Sequence, residues 1–301
     1  MTPHLDGSTQ LAGLIGWPLT HTLSPAMHNA AYEAMGLNWV YMPLAVRDGA
    51  TLTRAIAGIR AFPFVGFNVT MPYKRLVLNM CDEVATQAQL AGSVNTVHLR
   101  DGKMIGYNTD GRGLLESLAG EADFAPAGRR AVIVGAGGAA GAALVALVVS
   151  RASHVAVASR RPEQAEDLVD RIGDHARETE LIGTGFGPDL RELIEAADLV
   201  VNATPLGMGS GDPLPLPGEW LQPGQVVADM IYMPKETPLL VAAAVRGAKP
   251  VGGLGMLVAQ GAISVEIWND TTQATAPRDV MRAAAESERA ALEARVNEGA
   301  S

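Results

Sequence analysis

A single cysteine, Cys81, stands in the 301 residues. That excludes an intramolecular disulfide and any multi-cysteine metal site, and it fits a reducing, cytoplasmic setting. Aromatic residues are scarce at 5%, while glycine reaches 33, a balance that suits a turn-rich α/β chain. Positive charge is outweighed, and the net charge of −9 argues against nucleic acid and against an anionic membrane surface. It leaves room for a local basic pocket that takes an anionic small molecule. The N-terminal MTPHLDGSTQ has neither a basic leader nor an apolar run, so no signal peptide is expected. No repeat or low-complexity tract stands out. A hydrophobic content of 48% is ample for two domains, each with its own core.

One long uncharged stretch is present, from Ala131 to Ser150. By length it could span a membrane. Its internal order says otherwise. A β-branched run, Ala131–Val134, is followed by Gly135-Ala136-Gly137-Gly138-Ala139-Ala140, then by an apolar helical run, then by a second strand-like run, His154–Ala158. This is strand, glycine turn, helix, strand, with the G-x-G-x-x-(G/A) spacing of a dinucleotide site. Gly135 makes the tight turn, Gly137 admits a pyrophosphate close to the backbone, and Ala140 allows helix and strand to pack. The N–H groups at the helix start then face the phosphates. The second strand ends in Ser159-Arg160-Arg161, where an NAD site would carry an acid for the ribose 2′-OH. Two arginines there favour NADP, with NAD as the alternative.

The rest of the chain divides around this unit. Leu11–Ile15, Val40–Val46 and Val65–Thr70 read as strands alternating with helices, which implies a second parallel or mixed sheet. Ser24-Pro25 reads as a helix cap and first helical residue, with Gly36 as the stop. Lys74 lies just past the third strand, where open α/β sheets place ligands. An Asp101-Gly102 hairpin leads to Asp110, which reads as the N-cap of a helix over Leu114–Leu118. Beyond Arg161, a helix over Glu163–Ile172 and an irregular segment to Gly187 are expected. Strands over Asp198–Thr204 and Val226–Tyr232 follow, then apolar and charged helices from Met256 and Pro277. The expected fold is α/β, with residues 1–109 and 253–301 forming a substrate domain and 110–252 a Rossmann-like domain.

Eight strings in order, HTLSP, NVTMPYK, GSVNTV, YNTDG, GAGGAAG, NATPLGM, DMIYMP and GMLVAQGAISVEIW, resemble the shikimate dehydrogenase family over nearly the whole chain. The resemblance implies reversible NADPH-dependent reduction of 3-dehydroshikimate to shikimate, in aromatic amino-acid biosynthesis. It implies Lys74 and Asp110 as the catalytic pair, and Thr22, Ser24, Thr70, Asn95, Tyr232 and Gln260 around the substrate. It also implies Gly135–Ala140 on the pyrophosphate, Arg160 on the 2′-phosphate, Thr204 and Met208 in the cofactor pocket, and Gly253 and Met256 by the nicotinamide. No metal is implied, and a homodimer is left open. The chain departs from the family at Thr22, where serine is usual, at Ser159-Arg160-Arg161 in the phosphate clamp, and at Val265 in the Gln260 helix. Thr22 keeps open an NAD-preferring quinate/shikimate dehydrogenase. A methylenetetrahydrofolate dehydrogenase and a cofactor sensor without catalysis are the other readings, and NATPLGM with Gln260 and the intact Lys74 and Asp110 weigh against them.

Overall fold

The computed structural model describes residues 5–209, 211–270 and 275–299. Its contacts divide the chain into two compact units, Met1–Thr109 with Val258–Ser301, and Asp110–Leu257. The first unit opens with β1 (Gln10–Gly16), α1 (Ser24–Ala34), β2 (Trp39–Ala45), α2 (Gly49–Ile59), β3 (Phe64–Val69) and α3 (Lys74–Leu78). It continues with β4 (Glu83–Val84), α4 (Thr86–Ala91), β5 (Thr96–Arg100) and β6 (Lys103–Tyr107). The sheet runs β2-β1-β3-β5-β6-β4. β1 is parallel to β2 and β3, whereas β5 is antiparallel to both β3 and β6. The β5–β6 turn places Asp101 at φ 51° and Gly102 at φ 76°, the left-handed pair that a two-residue hairpin needs. Ile15, Phe67, Tyr73, Val97 and Met104 fill the core on one face.

The second unit holds α5 (Asp110–Ala122), β7 (Arg130–Val134), α6 (Gly138–Val149), β8 (His154–Ala158), α7 (Pro162–Gly173) and β9 (Glu180–Thr184). After them come α8 (Pro188–Glu195), β10 (Leu199–Asn202), β11 (Val226–Asp229), α9 (Pro238–Val245) and β12 (Lys249–Val251). Its sheet, β12-β11-β10-β7-β8-β9, is wholly parallel. Counted within the unit, that is the 3-2-1-4-5-6 order of dinucleotide-binding folds. Two helices close the chain, α10 (Gly253–Trp268) and α11 (Arg278–Gly299). The first turn of α10 belongs to the second unit and Val258 onward to the first. α11 packs along α1.

Several sequence expectations are corrected. The segment before Gly187 is not irregular: it contains β9, an edge strand paired only to β8. Gly183 hides it from a propensity reading, and glycine stands there because a Cβ would meet the Glu166 backbone at 2.7 Å. α5 starts at Asp110 rather than Leu114, so Asp110 sits in the first turn of the helix instead of preceding it. Gly111 and Gly113 mask that turn. Gly111 is required because a Cβ would lie 2.6 Å from the Ala142 carbonyl oxygen. Ser24 is likewise the first residue of α1 and makes no side-chain cap. Instead, Thr22 Oγ1 accepts the Ser24 N–H at 3.3 Å.

His28 is fully buried in the first unit, stacked on Tyr41 with ring centroids 4.1 Å apart. Neither ring nitrogen has a hydrogen-bond partner among the described residues. Burial pulls its pKa from 6.5 down to about 3. The unfolded chain therefore takes up a proton below pH 6.5 that the folded chain refuses, and stability is lost as pH falls from 6.5 toward 3. At pH 5 the loss from this one group is about 2 kcal/mol. His28→Leu should flatten the difference in urea unfolding free energy between pH 7 and pH 5 by about that amount. An unchanged difference would show that His28 is not the acid-sensitive group.

Candidate functional site

Strand direction gathers polar side chains at one end of the first unit's sheet. Because β5 runs against β3 and β6, its first residues lie beside the last residues of those strands, with Asn68 opposite Thr96 and Thr96 opposite Tyr107. Asn95 is the hub. Its side-chain Oδ1 accepts the Thr109 N–H at 2.8 Å, and its side-chain amide donates to Thr109 Oγ1 at 2.9 Å and Gln260 Oε1 at 3.1 Å. Below it, the Asn68 amide donates to Thr96 Oγ1 and Ser264 Oγ, and Asn68 Oδ1 accepts from Tyr41. Ser264 in turn donates to the Gln260 carbonyl at 3.0 Å. Asn95 and Gln260, two of the residues expected around a substrate, are thus joined in one buried network. Asn68, Thr96, Thr109 and Ser264 were not singled out by sequence reasoning. A polar Asn68 inside the apolar run FVGFNV was the available signal.

The other expected residues of this unit border the same end of the sheet. Thr70 follows β3 and is half-buried, with its N–H bonded to Ile15 O at 2.8 Å. Gly16 at the end of β1 must be glycine, since a Cβ would collide with Thr70 Cγ2. Thr22 and Ser24 sit at the start of α1, Ser24 buried and Thr22 half-buried. Lys74 opens α3, half-buried, and its backbone carbonyl accepts the Val94 N–H at 3.0 Å. That bond ties the lysine's helix to the GSVNTV loop bearing Asn95. The end of this sheet thus presents hydroxyls, amides and one ammonium, a surface suited to a polyhydroxy acid.

The second unit carries the glycine loop at its topological switch point, between β7 and β10. Gly135 has φ 114°, and a Cβ there would lie 3.1 Å from the Ala203 carbonyl oxygen. Gly137 differs: a Cβ added to it would meet nothing within 4 Å. Among the described residues nothing excludes a side chain at Gly137, so glycine there suits the close approach of a ligand. α6 begins at Gly138 without a side-chain cap, and its dipole favours an anion there. Ala140 is fully buried and Ala136 and Ala139 half-buried. At the end of β8, Ser159 Oγ accepts the Arg161 N–H at 3.3 Å, fixing the turn. Arg160 and Arg161 are exposed and have no ion-pair partner among the described residues. Both precede α7, where the helix dipole disfavours cations, so they do not serve the helix. These features fit a dinucleotide with a phosphorylated ribose.

Thr204 and Met208 lie in the loop after β10. Asn202 Oδ1 accepts from Thr204 N at 3.0 Å and Oγ1 at 2.7 Å, while its amide donates to Asp229 Oδ1 at 3.0 Å. Asp229 also accepts from Thr237 Oγ1, and burial raises its pKa. Asn202 and Asp229 thus shape the loop, and both were missed in the sequence. Met208 is half exposed at 50%. Tyr232, half-buried, follows β11 and belongs to the second unit, as does Asp110, which is buried. Gly253 is required where it stands, because a Cβ would lie 2.5 Å from the Met230 carbonyl oxygen. Met256 is buried one turn later. The structure therefore brings Asn95 and Gln260 into one network, places Thr22, Ser24, Thr70 and Lys74 in the same unit, and assigns Tyr232, Asp110 and the residues expected on the cofactor to the other. Among the described residues no group of three or more His, Cys, Asp or Glu could hold a metal, and no helix is long and apolar enough to cross a membrane.

Family models match in three places. They are a shikimate dehydrogenase substrate binding domain over residues 14–97, a shikimate/quinate 5-dehydrogenase domain over 118–206, and a shikimate 5′-dehydrogenase C-terminal domain over 253–286. A shikimate dehydrogenase (NADP(+)) of Geobacter metallireducens is 42% identical over 92% of this chain and 96% of its own. One of Rubrobacter xylanophilus is 45% identical over 88% of this chain and 93% of its own. A solved shikimate dehydrogenase in complex with NADP+ superposes with a TM-score of 0.85 at 38% identity, covering 95% of this chain and 97% of that one. With both sheets, the glycine loop and the Asn95 network in place, the chain belongs to the shikimate dehydrogenase family.

Proposed function

We propose that this protein is an NADP-dependent shikimate dehydrogenase, catalysing the reversible reduction of 3-dehydroshikimate to shikimate. The observation that carries the reading is the pairing, in one chain, of a hydroxyl- and amide-lined sheet end with a dinucleotide loop followed by two unpaired arginines. The relatives named above add to it over nearly their full lengths. The reaction serves aromatic amino-acid biosynthesis, and one cysteine with a net charge of −9 suits a cytoplasmic enzyme. The test is a shikimate oxidation assay with NADP and NAD side by side. Turnover with NADP well ahead of NAD is expected. Equal use of NAD would favour the quinate/shikimate sister activity, and no turnover with either would sink the reading.

NADP, when bound, supplies and accepts the hydride. The chain supplies position and a proton. Negative charge grows on the carbonyl oxygen during reduction, and Lys74 with Asp110, acting as a coupled pair, passes a proton to that oxygen and takes one back in the alcohol direction. Thr22, Ser24, Thr70, Asn95, Tyr232 and Gln260 hold the substrate's carboxylate and hydroxyls, which excludes analogues that leave those polar groups unpaired. Gly135–Ala140, Ser159, Arg160, Arg161, Thr204, Met208, Gly253 and Met256 hold the cofactor.

Lys74→Ala should lower kcat by about a hundredfold or more, the usual scale for a positioned acid–base group. Asp110→Asn should also reduce kcat, and the double variant should be little worse than the poorer single one. Additive losses in steady-state kinetics would show that the two do not act as a unit. At the other end of the reaction, a charge-assisted contact to the 2′-phosphate contributes about 1.5–3 kcal/mol, or roughly ten- to a hundredfold in affinity. Arg160→Ala should therefore raise KM for NADP by about that factor and leave KM for NAD nearly unchanged. Equal effects on both cofactors would place Arg160 away from the 2′-phosphate.

A further inference from the structure

The ends of three adjacent strands, β2, β1 and β3, carry a feature that neither sheet packing nor the reaction accounts for. Beyond β2, the Val46 N–H bonds the Gly16 carbonyl at 3.1 Å. The next residue, Arg47, holds its guanidinium carbon 4.9 Å from the centroid of the Trp17 ring. Trp17 follows β1, is 40% exposed, and bonds its N–H to Met71 O at 3.0 Å. Gly16, between them, abuts Thr70. Arg47, Trp17 and Thr70 thus stand at the same end of neighbouring strands, within about 10 Å, two strand spacings.

Arg47 is exposed and has no ion pair with any described residue. Two other arginines of this unit are ion-paired, Arg60 with Asp82 at 2.8 Å and Arg100 with Asp270 at 3.0 Å. The neighbouring carboxylate, Asp48, is turned into the start of α2, where it accepts the Thr51 N–H at 2.7 Å. Arg54 donates to Thr51 Oγ1. A guanidinium resting on an indole face keeps its charge and its in-plane donors while losing side-chain freedom in advance. The whole chain carries −9, so it repels an anion at long range, and a fixed cation at the rim reverses that locally.

We propose that Arg47, held on Trp17, is a specificity-determining rim residue that draws the substrate's carboxylate toward the Thr22–Ser24 and Thr70 end of the sheet. The inference rests on the shikimate dehydrogenase reading, which supplies the anionic substrate. Arg47 touches no reacting atom, so its effect lies in KM and not in the chemical step.

The test is Arg47→Gln, with Arg47→Lys as the conservative variant, assayed by shikimate oxidation across a salt series. Arg47→Gln should raise KM for shikimate about two- to fivefold at low salt, the scale of an exposed ion pair, with kcat and KM for NADP little changed. The difference should close near 0.5 M salt, where the Debye length has shrunk to a few ångströms. Arg47→Lys, which keeps the charge but loses the planar stack, should give a KM between those of wild type and Arg47→Gln. An unchanged KM at low salt, or a rise equal at low and high salt, would overturn the proposal. Shikimate binding followed by fluorescence separates the two failures. A wild type that binds and oxidises shikimate no better than Arg47→Gln overturns only the role of Arg47. A wild type that does neither overturns the function and the inference together.

Discussion

Buried amides and hydroxyls that have no water to turn to must satisfy one another, and the first unit is built around that constraint. Asn68, Asn95, Thr96 and Ser264 are all nearly or wholly buried. Leaving one such group unpaired costs about 1–3 kcal/mol. α10 is apolar along most of its length, and Ser264 pins it to the sheet, because its hydroxyl meets both the Asn68 amide at 2.9 Å and Thr96 Oγ1 at 2.8 Å. Trp268 adds a second fixed point by donating its indole N–H to Val97 O at 2.9 Å. Gly66 makes room for that ring. Once the helix is set, Gln260, one turn before Ser264, meets Asn95 and Thr109.

The second unit solves a similar problem with a charge. Asp229 is 2% exposed, and three donors surround it: the Asn202 amide, the Ile231 N–H and the Thr237 hydroxyl. Thr237 also caps α9, accepting the Leu240 N–H at 3.3 Å. A buried carboxyl held this way links the ends of β10 and β11 to the start of the next helix. The glycine loop leans on the same structure, since Gly135 packs against Ala203 and Thr204, whose turn Asn202 fixes. The glycine loop is therefore held from behind by the turn that Asn202 and Asp229 fix.

What the sequence made legible was local. The Asp101-Gly102 hairpin, the Gly36 stop and the β7–α6–β8 unit follow from positive φ angles and short-range patterning, and the structure has them where they were expected. What stayed hidden depends on distant partners. β9 is an edge strand whose half-buried ELIGT looks like a loop until α7 is known to lie against Gly183. Ser24 looks like a cap because serine before proline usually is one, but the hydroxyl of Thr22 two residues earlier takes the Ser24 N–H. Asn68 and Ser264 lie 196 residues apart, and no spacing rule joins them. Sequence motifs named Asn95 and Gln260. The residues that fix their orientation were invisible because they are ordinary polar residues in apolar strings.

The direction in which each amide is held says which polar groups belong to the scaffold. Asn95 spends its side-chain oxygen on the Thr109 N–H, and its side-chain amide on Thr109 Oγ1 and Gln260 Oε1. Gln260 turns its carbonyl oxygen toward Asn95 and Thr109, so its amino group lies on the opposite side of the carboxamide. An amide whose oxygen is held by two donors keeps one orientation, so the network that completes the fold of the first unit also fixes the Gln260 side chain.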